Sequence, residues 1–386
     1  MVWEFPMIFK TPTLSEKDRA VIIETEELRR RLSHAVAQPR RWTGRLRKVT
    51  FARAIQGSNT IEGYVTSVED AMAVAEGQQP LETDKATEDA IKGYRDAMTY
   101  ILQLAQASDF SYTSDLIRSL HFMIQQYDLS KHPGAWRPGA VYVKNEATGA
   151  VVYEGAQIEE VPALMAELIQ SLNTRTADAH YFVRSAMAHL NLVMIHPFSD
   201  GNGRMARALQ TLVLGREGIL EPTFSSIEEF LGRPDNTRQY YKVLQQVGGL
   251  IYQPSGDAIP WVRFVLRAHF FQASTLMRRV NEYGQIYELV YKETERRGLP
   301  ERTALALFDA AIGFRVRNAT YRPAADVPEY TAGRDLKLLA DHGLLVAIGE
   351  KRGRYYQAGQ VLKDIRTATR KRTPIVDPFE DAPAAS

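Results

Sequence analysis

The chain has 386 residues, 45% of them hydrophobic and 24% charged, with a formal net charge of +2. This is an ordinary globular composition with room for two or three domains and a sizeable core, and so even a charge balance singles out no class of charged partner. Cysteine is absent, which excludes disulfides and thiolate metal sites, and no apolar run is long enough to span a bilayer, so a cytoplasmic protein with no membrane partner is expected.

The opening piece, Met1 to Phe9, is apolar but short, carries Glu4 and has no basic flank, so a secretory leader is not expected. Ser15 to Arg47 reads as helix, broken near Pro39, with Arg40, Arg41, Arg45, Arg47 and Lys48 as a solvated basic face. Ser58 and Glu62 are four apart, hence on one helix face, and Gly63 is a natural stop. Thr66-Ser67-Val68-Glu69 has the form of a capping box opening the next helix. Helical spacing follows at 71–75, 86–105 and 113–126, and His121 reads as a packed core histidine. Pro133-Gly134 and Pro138-Gly139 are turns, and Val141–Val143 with Ala150–Tyr153 predict a β-hairpin. Two more helices are predicted, Glu159 to Leu172 and Tyr181 to Ile195.

The run from His196 to Arg207, HPFSDGNGRMAR, is the most informative stretch. Pro197 ends one apolar helix, and a second helical pattern starts at Arg204. Between them Gly201-Asn202-Gly203 permits a tight turn with consecutive exposed N–H groups at a helix N-terminus, which is an anion-binding arrangement. Arg204 and Arg207, three apart, add guanidinium forks suited to a polyphosphate. Asp200 offers oxygens to Mg²⁺, and His196 is the natural general base.

This run resembles the signature of the Fic family, His-Pro-Phe-x-Asp/Glu-Gly-Asn-Gly/Lys-Arg-x-x-Arg, at every fixed position. The resemblance implies transfer of AMP from ATP to a Ser, Thr or Tyr hydroxyl of a target protein, or of the chain itself. It implies that His196 deprotonates the hydroxyl and Asp200 holds Mg²⁺. It implies phosphate contacts from Gly201, Asn202, Gly203 and Arg204, γ-phosphate contact from Arg207, and a loop anchor in Phe198. Gly203, where a related branch has lysine, points to nucleotidyl rather than phosphoryl transfer. Ser58-x-x-x-Glu62-Gly63 resembles the family's inhibitory motif, in which the glutamate pairs with the last arginine and takes the γ-phosphate site. The hairpin resembles the family flap, so Val152 and Tyr153 are expected to present the target segment as an added strand. Gly155-Ala156 stands where many members have a Pro-Pro pair. Tyr240-Tyr241 matches a family pair of which one ring contacts adenine. Removal of AMP, or transfer of another phosphate-linked group, would use the same residues.

Beyond the core, Gly248 to Pro260 reads as loose, and 261–298 as one or two long helices. Helices at Thr303–Ala311 and Tyr330–Asp341, with strands Leu344–Ile348 and Arg354–Tyr356, resemble a winged helix. Its wing, Glu350 to Arg354, is basic, yet Arg334 and Lys337 are offset by Asp335 and Asp341. Protein contact or a homodimer is therefore preferred to DNA as its role, a nucleotide-sensing DNA-binding regulator being the rival of another class. The expected organisation is mostly α: an N-terminal helical region (1–110) with the inhibitory helix near 55–63, a Fic-type core with its flap (111–275), a winged-helix-like domain (276–360) and a disordered tail (361–386).

Overall fold

A computed structural model describes residues 8–144, 148–174, 180–218, 220–350, 353–370 and 373–380. The start of the apolar N-terminal piece, the centre of the hairpin turn, Lys351 and Arg352 of the wing, and the end of the tail lie outside the described residues. The chain forms two compact units, one of Met1–His34, Arg47–Ser274 and Val376–Ser386, the other of Ala35–Leu46 and Thr275–Ile375.

The architecture is mostly α, with two small antiparallel hairpins. The helices up to the site are α1 (Glu16–Ala37), α2 (Thr43–Ile61), α3 (Val68–Ala75), α4 (Lys85–Leu104), α5 (Ser114–Gln125), α6 (Val161–Asn173), α7 (Tyr181–Ile195) and α8 (Asn202–Gly215). After them come α9 (Pro222–Ser225), α10 (Glu228–Leu231), α11 (Pro234–Gly248) and α12 (Ile259–Arg296). The first hairpin pairs β1 (Tyr142–Lys144) with β2 (Val151–Glu154). Helices α7 and α8 flank the His196–Gly201 turn and are buried on nearly every side, α8 including its Arg204, Arg207 and Gln210. One apolar cluster, with Tyr94, Ile117 and Leu164, lies to one side of the pair, and another, with Phe182, Tyr240, Trp261 and Phe264, to the other. The turn is thereby held at both ends by buried helices.

Helix α2 ends as its glycine predicts. Gly63 adopts φ 85°, and the Tyr64 N–H returns to the Asn59 carbonyl at 3.0 Å, a left-handed C-terminal cap. The next cap is one residue later than the sequence suggested: Ser67, not Thr66, accepts from the Asp70 N–H. The Asp70 carboxylate turns instead to the N–H groups of Leu81 and Glu82.

The seat of α2 is fixed by two glycines. A Cβ on Gly57 would collide with the Glu228 carbonyl, and one on Gly232 would stand 2.6 Å from the Gly57 Cα. Both obstacles are backbone and cannot yield. Gly57→Ala is therefore expected to lift α2, cost about 1–3 kcal/mol of stability as overpacking does, and loosen whatever the Ser58–Glu62 face holds. Thermal melts and ATP binding of the variant check this.

The second unit holds α13 (Ala304–Ala311), α14 (Asn318–Ala325), α15 (Glu329–Asp341), β3 (Leu345–Ile348), β4 (Tyr355–Ala358) and α16 (Gln360–Thr369). A bridge from Val316 to Tyr356 adds a third edge to the hairpin, completing a winged-helix arrangement. Sequence reading passed over α14 because Pro323 interrupts its pattern. It also assigned residues from 361 to a disordered tail, whereas Leu362 and Thr369 are buried in α16, which packs on α13. The basic cluster is largely solvated, with Arg40, Arg41 and Lys48 exposed, but most of its members are ion-paired. Arg41 pairs with Glu301 and Arg45 with Asp309, at 2.7 Å for the latter, within the second unit. Arg47 pairs with Glu221 and Lys48 with Glu76 within the first. Among the described residues no helix is long and apolar enough to cross a membrane.

Candidate active site

The turn after α7 is built by backbone strain and a side-chain brace. His196 sits at φ 54°, a left-handed conformation costly for a non-glycine residue. Its carbonyl accepts from Arg137 Nε at 2.8 Å, and the Arg137 N–H donates to the Pro197 carbonyl at 2.9 Å. Arg137 also donates to the Gly139 carbonyl at 2.7 Å and to the Ala156 carbonyl. The Asn202 amide closes the loop by pairing with both the N–H and the C=O of Phe198, each at 2.9 Å. Phe198 itself is fully buried and stacks on His121, centroids 3.6 Å apart. The sequence signals for Arg137 were absent, since it lies 59 residues from its partner. Arg137→Ala removes the donor to three carbonyls, of which that of Ala156 is buried, and is expected to cost about 1–3 kcal/mol, read by chemical denaturation, with His196 losing its fixed direction.

The imidazole of His196 is in a defined tautomer. Its Nδ1 lies 3.0 Å from the Val193 carbonyl, which can only accept, so Nδ1 carries the proton and Nε2 keeps a free lone pair. Burial pushes its pKa below the ordinary value, against the opposing pull of the Val193 carbonyl. Glu62 and Asp200 both act on this ring electrostatically, so the imidazole and the two carboxylates share one small region.

Glu62 occupies the mouth of α8. Its Oε1 is 2.6 Å from Arg207 Nη2 and stands where a Cβ on Gly203 would fall, 2.5 Å away. Burial would raise its carboxyl, but Arg207 and then Arg204 outweigh this and hold it below the usual carboxylate range. Ser58 completes the grip: Arg207 Nε donates to its hydroxyl at 2.8 Å and Nη2 to its carbonyl at 3.0 Å. Ser58 and Glu62 thus act on one guanidinium, as their four-residue spacing allows.

Arg204 diverges from Arg207. It gives Nη2 to Gln125 at 2.7 Å and Nη1 to the Tyr127 hydroxyl at 2.9 Å. Gln125 in turn donates to Asp200 Oδ2 at 3.0 Å, while the Gly201 N–H donates to Oδ1 at 2.6 Å. His121 is packed, as expected, but also directs Asp200. Its Nε2–H donates to the Asp200 carbonyl at 2.9 Å and its Nδ1 accepts from the Gly134 N–H at 2.9 Å. Burial pushes its pKa down to about 4, so it stays neutral in this role.

These residues suit a nucleotide with its cation. Arg207 Nη1 and Arg204 Nε are buried and have no hydrogen-bond partner among the described residues. A carboxylate already stands on the helix N-terminus in the position an anion would take. Among the described residues no group of three or more acidic or histidine side chains is placed to hold a metal ion. A single carboxylate is what Mg²⁺ needs when phosphates supply its other oxygens.

The same segment matches a family model. Residues 111–214 match that of the Fic/DOC family. This segment is a Fic domain. Relatives include the protein adenylyltransferase Fic of Aedes aegypti, 28% identical over 259 residues (66% of this chain, 48% of that protein). The protein adenylyltransferase fic-1 of Caenorhabditis elegans is 26% identical over 259 residues (67% and 47%). The chain spans about half the length of the curated relatives it matches. Among solved structures, a Fic family protein from Desulfovibrio desulfuricans G20 superposes with TM-score 0.58 at 23% identity, covering 91% of this chain and 99% of that one. Fic-1 from C. elegans superposes at 0.54 and 23% identity, covering 67% and 72%.

Two further sequence expectations meet the Fic domain differently. Tyr240 is 1% exposed, donates to His189 Nε2 at 3.0 Å and packs on Trp261. Its ring is core, which leaves Tyr241, 46% exposed, as the ring of the pair open to a purine. The Tyr241 hydroxyl donates to the Ile61 carbonyl at 3.2 Å.

Tyr153 of the flap is also mostly buried and donates to the Met194 carbonyl at 2.6 Å, tying the hairpin to α7. The stretch after α11, read as loose, instead pairs with the flap. Glu154 exchanges bonds with Leu250 and Tyr252 at 2.8 and 3.1 Å. Val152 falls at the irregularity of the β1–β2 register, where Val143 faces Tyr153 and Lys144 faces Val151. Gly155 has a reason to differ from the usual proline: a Cβ there would come within 3.0 Å of His196 Cβ and Val141 Cγ1.

Proposed function

We propose that the chain is a protein adenylyltransferase held in a resting state by Glu62. The observation that carries this reading is the carboxylate of Glu62 seated on the α8 N-terminus in contact with Arg207, in the place the γ-phosphate of ATP would take. The target hydroxyl attacks the α-phosphorus. Its proton goes to Nε2 of His196, the new O–P bond forms, the bond to the β-phosphate bridge breaks, and pyrophosphate leaves. The amides of Gly201, Asn202 and Gly203, with Arg204 and Arg207, spread the developing charge. Asp200 is the residue to hold Mg²⁺, which when bound neutralises phosphate charge. Tyr241 is the ring for adenine, and the outer edge of β2 at Val152 is the track for the target segment.

The winged-helix unit gives one observation relevant to its partner. Asp335 is buried, held by Arg302 at 2.7 and 2.9 Å and by the Tyr321 hydroxyl at 2.9 Å. It does not offset Arg334 and Lys337 on the exposed face, as the sequence suggested. Lys337 is nonetheless paired with Asp341 at 2.8 Å, so contact with protein remains our preferred role for this unit. The test of the main reading is incubation with labelled ATP and Mg²⁺ in lysate: protein labelling that depends on His196 and rises on loss of Glu62 supports it, and no labelling by any variant overturns it.

A further inference from the structure

The segment just beyond the inhibitory glutamate makes contacts that the pairing of Glu62 with Arg207 does not require. After Gly63 turns the chain, the Tyr64 ring comes to lie with the Arg204 guanidinium carbon 5.3 Å from its centroid. Its hydroxyl is 3.0 Å from that of Tyr127, which itself accepts from Arg204 at 2.9 Å. The two rings meet edge to face. Arg204 is left 1% exposed, with its Nε facing no acceptor among the described residues.

We propose that Tyr64 is a second latch of the resting state, closing Arg204 as Glu62 closes Arg207. This rests on the adenylyltransferase reading and deepens its regulation. Glu62 and Tyr64 are two residues apart on one segment, separated by a glycine hinge. A carboxylate that leaves Arg207 frees one guanidinium only. Nucleotide phosphates reach the other only when the aromatic ring has also moved off it. Because the chain joins the two contacts, release of either weakens the other. Tyr64 acts through Arg204 and is a positioning residue, not a catalytic one.

The test is equilibrium binding of a labelled, non-transferable ATP analogue to the full chain and to Tyr64→Ala, Tyr64→Phe, Glu62→Gly and the Glu62→Gly/Tyr64→Ala double variant. Thermal melts confirm that each is folded. Tyr64→Ala is expected to tighten binding about two- to thirtyfold, the range of a lost cation–aromatic contact. Tyr64→Phe, which keeps the ring over Arg204, is expected to stay within about twofold of wild type. In the Glu62→Gly background, Tyr64→Ala is expected to lower KM for ATP and leave kcat unchanged. Unchanged or weaker binding in Tyr64→Ala, with Glu62→Gly tightened, overturns the latch and leaves the adenylyltransferase reading standing. Tightening in Tyr64→Ala with no response to Glu62→Gly keeps the latch and removes Glu62 as the inhibitor. No response in either variant overturns both.

Discussion

Glu62→Gly is expected to raise ATP-dependent protein labelling by about ten- to a hundredfold over wild type. The magnitude follows from the contact removed. A charge-assisted bond to a buried guanidinium contributes about 1.5–3 kcal/mol, and each 1.4 kcal/mol is tenfold in an equilibrium. The carboxylate at 2.6 Å from Arg207 competes with a phosphate for the same fork and the same helix N-terminus. Without it Arg207 keeps Ser58 but loses its counter-charge. Folding stability without ligand is therefore expected to fall, and the stabilisation by saturating ATP and Mg²⁺ to grow, because nucleotide then supplies the missing anion. Labelling assays and thermal melts with and without nucleotide read both effects. Equal labelling by wild type and variant would remove the autoinhibition claim.

His196→Ala, placed in the Glu62→Gly background, is expected to lose about 10²–10⁴-fold in transfer rate, the usual contribution of a positioned general base. ATP binding is expected to change little, since His196 is assigned to the target hydroxyl rather than to phosphate. The pH profile gives an independent reading. Burial holds the imidazole below its ordinary value, so the basic form persists further into acid than for a free histidine. Transfer by Glu62→Gly is thus expected to stay flat from alkaline pH down through about 6.5, the unperturbed value, and to decline only below it. A profile that rises on acidification would exclude His196 as the base.

The remaining lessons come from individual residues. HPFSDGNGRMAR exposes its helix–turn–helix form and its chemistry because proline, glycine and charge act locally, within one turn of chain. The pairing of Ser58 with Glu62 was legible for the same reason, being set by the four-residue period of a helix. Which ring of Tyr240-Tyr241 is open was not legible, because consecutive residues on a helix point apart and only the packing of Trp261 and His189 decides which one is core. Helix α16 was hidden by a composition that reads as tail, since what makes it a helix is burial of Leu362 and Thr369 against distant segments.

By itself the amino-acid order predicted a helical protein with a candidate phosphate cradle and a candidate base beside it, for which short-range rules suffice, and, through the resemblance of one motif, a carboxylate placed to block them. Only the tertiary structure decided that Arg204 and Arg207 part company, that Arg137 and His121 hold the loop from far along the chain, and that Gly57 and Gly232 let the blocking helix sit close enough to reach. Those outcomes depend on which surfaces meet, and contacts between residues tens or hundreds of positions apart leave no periodicity in the chain that makes them.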